Sequence, residues 1–306
     1  MNSLADWIRR SYTQISEDGR EGALDSAHDL YGGLWRYLGW RVPRGTNIYE
    51  REWDTLVILD ACRVDLLLEV ADEYSFIESV DSFESVGSMS EEWMVKTFTD
   101  DHAEASRRTA YITSNVFSEQ VLSASQFETL DEVWRYAWED DIGIVPPRPV
   151  TDRAIATARE TDPDRLIVHY MQPHHPFIAG DSAQSFEADP FGREDGVTVV
   201  DALRKGRISH DEFWDAYREN LRLVLDDVAV LLENHDAGKV VLTADHGDAL
   251  GELGIYDHPA GCLHPAVKNV PWVETTASDT ESYEPETEPV DEDADIQERL
   301  RGLGYI

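Results

Sequence analysis

Four short apolar runs rich in β-branched residues, separated from one another by helical patterns, constrain the fold more than any other feature of the sequence. They are TLVILD at 55–60, TAYIT at 109–113, RLIVHY at 165–170 and KVVLTA at 239–244. A continuously apolar run of this length is typical of a strand buried on both faces. Because strands that alternate with helices form parallel sheets, the sequence predicts an α/β fold with a mostly parallel central sheet sandwiched by helices.

Apolar residues recur at helical spacing on either side of these strands, and they divide the chain into three units. The predicted helices are 4–15, 23–38, 63–71, 91–98, 151–160 and 211–234. The first two form a helical N-terminal appendage over residues 1–50, and the α/β domain occupies residues 51–273. Residues 274–306 form an acidic tail, in which 274–295 is proline-spaced and typical of a solvated linker and the last residues dock back.

The charge balance excludes one large class of function. The chain has 62 acidic residues against 26 basic ones, a net charge of −36, so binding of nucleic acid through phosphate contacts is not expected. This composition resembles that of proteins from salt-loving archaea. A surface of one sign repels itself in dilute buffer and is screened in concentrated salt, where the Debye length falls to roughly 3 Å at 1 M, so the fold is expected to need salt.

Cysteine content and hydropathy indicate where the protein works. The two cysteines, Cys62 and Cys262, are too few for a disulfide framework and are expected to be reduced thiols. No run of 18 apolar residues is present, and the N-terminus lacks the apolar stretch of a secretory signal. We therefore expect a cytoplasmic protein without a transmembrane segment, with a peripheral membrane contact left open and the oligomeric state unpredicted.

Acidic and imidazole side chains follow three of the predicted strands. Asp60 ends the first strand, His174 and His175 follow the third, and Asp245 and His246 follow the fourth. Ligands of an open parallel sheet lie beyond the carboxyl ends of its strands, and aspartate with histidine is a donor set for Zn²⁺ or Mn²⁺. The alternative is that these aspartates cap helices or end buried strands without binding a ligand.

Three motifs in this order resemble the alkaline phosphatase superfamily, particularly its sulfatase and phosphoglycerol-transferase-like branch. They are LDACRVD at 59–65, HYMQPHHPF at 169–177 and TADHGDALGELG at 243–254. His258-Pro259 and Val270-Pro271 follow in the order of the family. The resemblance extends from Trp53 to Val273, and TADHGDALGE is its most specific part.

The resemblance implies both a metal site and substrate contacts. It implies that a divalent metal is held by Asp60, Asp245 and His246, with Mn²⁺ or Zn²⁺ expected ahead of Ca²⁺ or Mg²⁺. It further implies that His174, with His169 or His258, contacts the anionic group of the substrate or a second metal. Within an apolar strand, His169 is more typical of a buried, hydrogen-bonded imidazole.

The family also places a nucleophile at a helix N-terminus after the first aspartate, where the helix dipole favours an anionic group. Ser88 and Ser90 both lie in that region, just ahead of the predicted helix 91–98. Ser88 with Glu91 also matches a capping box, so helix capping explains either serine without chemistry. The sequence leaves both serines open as the nucleophile.

Two departures from the family favour phosphoesters over sulfate esters. The chain lacks the C/S-x-P-S-R string in which sulfatases form formylglycine, and Ala61 replaces the second aspartate that a Ca²⁺ site would use. The expected function is metal-dependent hydrolysis or transfer of a phosphoester of a small molecule, sugar or lipid. A sulfatase, or a catalytically inactive metal-binding scaffold of the same fold, is the alternative.

Overall fold

A computed structural model describes residues 8–9, 11–13, 15–16, 19–39, 41–42, 44–180 and 198–286 of the chain. Residues 8–9, 11–13 and 15–16 are helical. The further α-helices are α1 (Arg20–Gly39), α2 (Val64–Val70), α3 (Ser90–Thr97), α4 (Ala103–Ser106), α5 (Ser118–Val121), α6 (Pro147–Thr161), α7 (Val199–Arg204), α8 (His210–Glu233) and α9 (Pro265–Lys268).

A seven-stranded sheet forms the centre of the molecule. Its strands are β1 (Thr55–Leu59), β2 (Asp81–Glu84), β3 (Thr109–Thr113), β4 (Thr129–Glu132), β5 (Arg165–Tyr170), β6 (Ala237–Thr243) and β9 (Asn269–Ala277). The spatial order is β2-β9-β6-β1-β5-β3-β4, with β9 antiparallel to both of its neighbours and the other pairs parallel. A separate hairpin joins β7 (Ala249–Leu250) to β8 (Tyr256–Asp257).

The four predicted strands are confirmed within two residues, and they are β3 and the three central strands β6, β1 and β5. Every residue of β1 and β3 is buried, as their continuous apolar runs indicate. The long helices α6 and α8 cover the sheet with their apolar sides, and α8 begins at a capping box between Ser209 and Glu212. The predicted mostly parallel α/β sandwich is therefore correct.

Register brings the carboxyl ends of the strands together. Ile58 of β1 pairs with His169 of β5 and with Thr243 of β6. Residues that follow β1 and β6 therefore emerge side by side at one edge of the sheet, next to His169 within β5.

The acidic segment predicted to be a solvated linker begins inside the sheet instead. Strand β9 runs through the predicted boundary at residue 273 and ends at Ala277. Beyond it, the Ser278 amide donates to the Leu232 carbonyl, and the Tyr283 hydroxyl donates to Asp152 at 2.7 Å. The linker prediction is wrong for 274–277, because pairing within the sheet outweighs the acidic composition there, whereas residues 278–286 have no regular secondary structure. Residues 287–306, with the predicted docking segment, lie outside the described residues.

The remaining predictions about organisation are tested only in part. The stretch 180–207, interpreted as a surface excursion and a lid, falls mostly on residues 181–197, which lie outside the described residues. Both cysteines are buried and unbridged. Among the helices that the structure describes, none is sufficiently long and apolar to span a bilayer.

Candidate active site

Three fully buried side chains meet at the carboxyl edge of the sheet. Asp60 follows β1 directly, and Asp245 and His246 follow β6, which is the neighbour of β1. One potential ligand atom from each of the three lies within 4.8 Å of the others. The structure thus brings together the three metal ligands that the family resemblance implies.

Buried oxygen and nitrogen atoms that could bind a metal lie at the centre of this group. Within the described residues, Asp60 Oδ1, Asp245 Oδ2 and His169 Nε2 are buried and have no hydrogen-bond partner. His246 Nε2 lies 3.5 Å from Asp60 Oδ1 and 3.4 Å from Asp245 Oδ2. Buried carboxylate oxygens without a partner are costly, and a divalent cation among these atoms would remove that cost. The oxygen and imidazole donors fit Zn²⁺ or Mn²⁺.

Backbone contacts fix how Asp245 and His246 are oriented. Asp245 Oδ1 accepts from the Ala61 amide at 3.2 Å and from the His246 amide at 2.9 Å, which leaves Oδ2 toward the centre. His246 Nδ1 lies 2.9 Å from the Gly247 carbonyl oxygen, so Nε2 is the nitrogen that faces the carboxylates. Gly247 is needed here because a Cβ at that position would overlap the Ala266 carbonyl.

The carboxylate of Asp245 is held in its charged form. Complete burial alone would raise the pKa of Asp245, but the adjacent imidazoles of His246 and His169 outweigh burial, and the pKa lies below its usual value. An ionised Asp245 is the form that binds a metal ion.

Ser90 is the serine that reaches this group. It is the first residue of α3, it is buried, and its Oγ donates to Asp60 Oδ2 at 3.1 Å. Ser90 Oγ also lies 3.4 Å from His246 Nε2. At this position the unpaired amides of the helix N-terminus are available to an anionic group.

Ser88 lies apart and is engaged in holding the loop. Its hydroxyl donates to Glu92 Oε2 at 2.6 Å and lies 3.1 Å from the Pro259 carbonyl oxygen, and it accepts from the Cys262 amide at 3.2 Å. The predicted capping box of Ser88 with Glu91 is not formed, because the N-cap of α3 is Met89, which makes no side-chain capping bond. Ser88 is instead bonded to Glu92, through its amide at 2.9 Å and through its hydroxyl.

Two lysines hold the loop that precedes Ser90. Lys96 Nζ lies 2.5 Å from Glu92 and donates to the Val86 carbonyl at 3.2 Å. Lys268 Nζ donates to the Gly87 carbonyl at 3.1 Å, and burial lowers the pKa of Lys268 to about 8. These contacts fix the backbone that delivers the Ser90 hydroxyl.

A histidine cluster lies beside the three buried ligands. The rings of His246 and His258 have centroids 4.4 Å apart, and His258 Nε2 is 3.0 Å from His174 Nε2 and 2.9 Å from Asp257 Oδ1. Burial opposes protonation of His258, but the charge of Asp257 prevails and raises the pKa of His258 to about 10. Burial and the neighbouring His175 hold the pKa of His174 well below its usual value. A charged and a neutral imidazole therefore face each other.

Asp248 and His175 complete this cluster. Burial, followed by the charge of Asp257, raises the pKa of Asp248 to about 7, and its Oδ1 is buried without a partner in the described part of the chain. Burial lowers the pKa of His175 to about 4. His174 and His258, which the family resemblance places at the substrate or at a second metal, lie against each other, and Asp257 is in contact with His258.

One site residue was missed by the sequence reasoning. Asn115 follows β3, and its Nδ2 donates to Asp60 Oδ2 at 2.8 Å, the same oxygen that accepts from Ser90. The available signal was a polar Ser-Asn pair directly after the TAYIT strand.

His169 was expected to be fully hydrogen-bonded, but only its Nδ1 is, at 2.8 Å from the Tyr111 hydroxyl.

Arg63 has a structural role. Its guanidinium pairs with Asp65 at 2.6 Å and with Glu252 at 2.6 Å, and it donates to the Asp248 carbonyl at 2.8 Å. These bonds tie the first motif to the third.

Comparison with solved structures identifies the fold. The soluble domain of lipooligosaccharide phosphoethanolamine transferase A from Neisseria meningitidis is similar, with a TM-score of 0.50 and 14% identity over 82% of this chain and 86% of that one. The chain has an alkaline phosphatase-like fold. This fold places the ends of β1 and β6 together, as described above.

Two further alkaline phosphatase-like structures are similar at lower scores. The periplasmic domain of a phosphoethanolamine transferase from Campylobacter jejuni gives a TM-score of 0.47 and 13% identity over 72% of this chain and 78% of that one. A sulfatase-like protein from Bacteroides thetaiotaomicron gives 0.44 and 12% over 78% and 66%. No protein-family model and no curated protein matches the sequence.

Proposed function

We propose that this chain is a metal-dependent transferase or hydrolase of phosphoesters in which Ser90 is the nucleophile. The observation that carries the proposal is the hydroxyl of Ser90, 3.1 Å from Asp60 Oδ2 at a helix N-terminus. That hydroxyl lies beside the carboxylates of Asp60 and Asp245, each of which has one buried oxygen without a hydrogen-bond partner among the described residues. A serine in this place is next to the atoms that would hold a cation, and an incoming phosphate would meet the free amides of α3.

A divalent metal held by Asp60, Asp245 and His246 would supply Lewis acidity that lowers the pKa of the serine and neutralises phosphate oxygens. The residues of the chain do the rest. Ser90 donates its proton toward Asp60 as its oxygen bonds to phosphorus, and Asn115 holds the Asp60 carboxylate in place. The bond from phosphorus to the leaving oxygen breaks.

In this proposal His258 protonates the leaving oxygen, and its contact with Asp257, which favours the charged imidazole, supports that role. Once the leaving alcohol has taken that proton and departed, the phosphoryl group remains on Ser90 as a phosphoserine. Water or an acceptor alcohol then attacks the phosphorus and restores the free serine. A sugar or lipid alcohol as acceptor makes the enzyme a transferase, and water makes it a hydrolase.

Matched serine variants test the proposal. Nitrophenyl phosphate monoester, phosphate diester and sulfate ester are offered in molar KCl with Mn²⁺ or Zn²⁺, since the acidic surface is expected to need salt. We expect phosphoester turnover that falls at least about 1,000-fold in Ser90→Ala. Ser88→Ala should stay within about tenfold of the native rate, since the Ser88 hydroxyl only holds the loop. Its loss should lower the free energy of unfolding by about 1 kcal/mol.

Each alternative has its own outcome in the same assay. Turnover of the sulfate ester alone would replace the phosphoester proposal with a sulfatase. Metal binding without turnover of any ester would favour the inactive scaffold. Loss of activity in Ser88→Ala with retention in Ser90→Ala would refute the assignment of the nucleophile.

A further inference from the structure

Exposed apolar side chains are concentrated at the N-terminal end of the chain. In the described residues, eleven large hydrophobic side chains are exposed, and eight of them lie between residues 8 and 42. They are Ile8, Tyr12, Ile15, Leu24, Leu30, Leu34, Tyr37 and Val42. Single exposed apolar residues need no explanation, but a contiguous group of them marks an interaction surface.

Helix α1 has two different sides. Its inner side packs on the molecule, where Tyr31 and Trp35 contact a small cluster formed by Ala249, Ile255, Cys262 and Val267. Its outer side carries an exposed row of apolar residues at spacings of four, three, four and three: Ala23, Ala27, Leu30, Leu34 and Tyr37. We call this row the α1 stripe. A narrow stripe with this spacing is the seam by which one helix packs along another.

The sizes of the side chains in the α1 stripe indicate what kind of helix fits it. The stripe begins with two alanines and ends with Leu34 and Tyr37, and Leu30 lies between them. In an antiparallel pair of two identical stripes centred on Leu30, Ala23 meets Tyr37 and Ala27 meets Leu34. Large residues then fill the space beside small ones, and the stripe is complementary to itself, as a two-fold interface requires.

We propose that two copies of this chain associate through the α1 stripe, as antiparallel helices with the two-fold axis at Leu30. Charge supports a second copy as the partner. Residues 1–50 hold six arginines against seven acidic residues, so all but one unit of the net charge of −36 lies beyond residue 50. Two strongly acidic molecules therefore approach each other with the least repulsion at this end. The inference does not depend on the proposed function.

A bilayer fits the same surface less well. Helices that lie in a membrane interface combine a broad apolar side with a polar side rich in lysine and arginine. The α1 stripe is narrow, and the chain has no lysine before Lys96. An anionic membrane would also repel the remainder of the molecule.

Sedimentation velocity of the full chain tests the pairing, from about 1 to 100 μM in molar KCl. We expect a reversible dimer. Its dissociation constant should rise at least about a hundredfold in Leu30→Lys, because the change replaces in both copies a leucine that the dimer interface would bury. Leu68→Lys is the matched control, since Leu68 is 55% exposed, against 57% for Leu30, but lies on α2, and it should leave the dimer unchanged. A native chain that stays monomeric throughout would overturn the proposal.

Engineered cysteines test the direction of the pair independently of affinity. Leu30→Cys should form a disulfide with itself under mild oxidation, whereas Ala23→Cys should cross-link to Tyr37→Cys and not to itself. The native cysteines are buried and should not interfere. Self-linkage of Ala23→Cys would contradict the antiparallel arrangement, and binding to phosphatidylglycerol vesicles without dimers would assign the stripe to a membrane.

Discussion

The two ends of the sheet gather similar side chains but differ in how these are satisfied. At the amino ends of the strands, aspartate, histidine and arginine line a cleft of about 430 Å³. There His235 has both nitrogens bonded, to Thr55 at 3.0 Å and to the Leu231 carbonyl at 2.9 Å. Asp54 accepts from the Lys239 amide at 2.8 Å, and Arg159 pairs with Asp279 at 2.8 Å. At the carboxyl ends, buried oxygens of Asp60 and Asp245 have no partner among the described residues.

This difference shows that residue type alone does not define a metal site. At the amino end, Asp54 already accepts from an amide and Asp279 already pairs with an arginine, so a cation has little to add to either carboxylate. At the carboxyl end, one buried oxygen of Asp60 and one of Asp245 have no hydrogen-bond partner in the described part of the chain, and a cation could bind both.

Metal affinity should separate the two ends most strongly. Asp245→Asn removes a charged donor and should weaken Zn²⁺ or Mn²⁺ binding by more than about 100-fold, beyond the loss typical of residues that only support a ligand. Asp54→Asn should leave the affinity unchanged, because its carboxylate serves the Lys239 amide. Isothermal titration calorimetry measures the metal affinity of both variants. Equal losses of affinity in Asp245→Asn and Asp54→Asn would contradict the assignment of the metal site to the carboxyl end.

Proton donation should give the next largest contrast. His258→Gln should lower the turnover of an alkyl phosphoester by about 100-fold. It should lower the turnover of nitrophenyl phosphate much less, because that leaving group needs no proton. His235→Gln alters a histidine that is bonded to Thr55 and Leu231, and it should affect stability but not the dependence on the leaving group. A loss in His258→Gln that is the same for both leaving groups would exclude the proton-donor role.

A buried lysine near Ser90 should give the smallest effect, in the pH dependence of stability. The pKa of Lys268 is about 8 in the folded chain, against about 10.4 when unfolded, so the unfolded chain binds the extra proton between these values. The free energy of unfolding should therefore rise with pH across this window, by about 1–3 kcal/mol relative to Lys268→Met.

Urea denaturation at pH 7 and pH 10 measures that rise. Lys239→Met is the control at the other end of the sheet, because Lys239 is partly exposed and pairs with Glu274 at 2.9 Å. The native chain and Lys239→Met should show the same rise. Parallel pH profiles for the native chain and Lys268→Met would mean that Lys268 is not buried in its charged form.

The sequence predicts the central strands because their patterns are unambiguous. The runs at β1, β3, β5 and β6 are short and rich in apolar and β-branched residues, which is typical of strands buried on both faces. By contrast, β2 has the sequence DSFE and β4 has TLDE, and both lie at the edges of the sheet. Edge strands need few apolar residues, so their position depends on pairing partners that the local sequence does not encode.

The three candidate metal ligands were predictable from the sequence, but the serine that lies beside them was not. Asp60, Asp245 and His246 belong to motifs that follow recognisable strands. Ser88 and Ser90 are two residues apart, and what separates their roles is the loop at Pro259 and Cys262, about 170 residues further along the chain. Such a long-range contact fixes where α3 begins, and no local pattern contains it.

The most direct test of the account is a crystal of the full chain soaked in Zn²⁺ or Mn²⁺, with anomalous scattering measured at the edge of the metal. A peak is expected within about 2.0–2.2 Å of Asp60 Oδ1, Asp245 Oδ2 and His246 Nε2. No peak is expected in the cleft lined by Asp54 and His235. A peak in that cleft alone, or an unoccupied carboxyl edge at saturating metal, would contradict the assignment of the metal site.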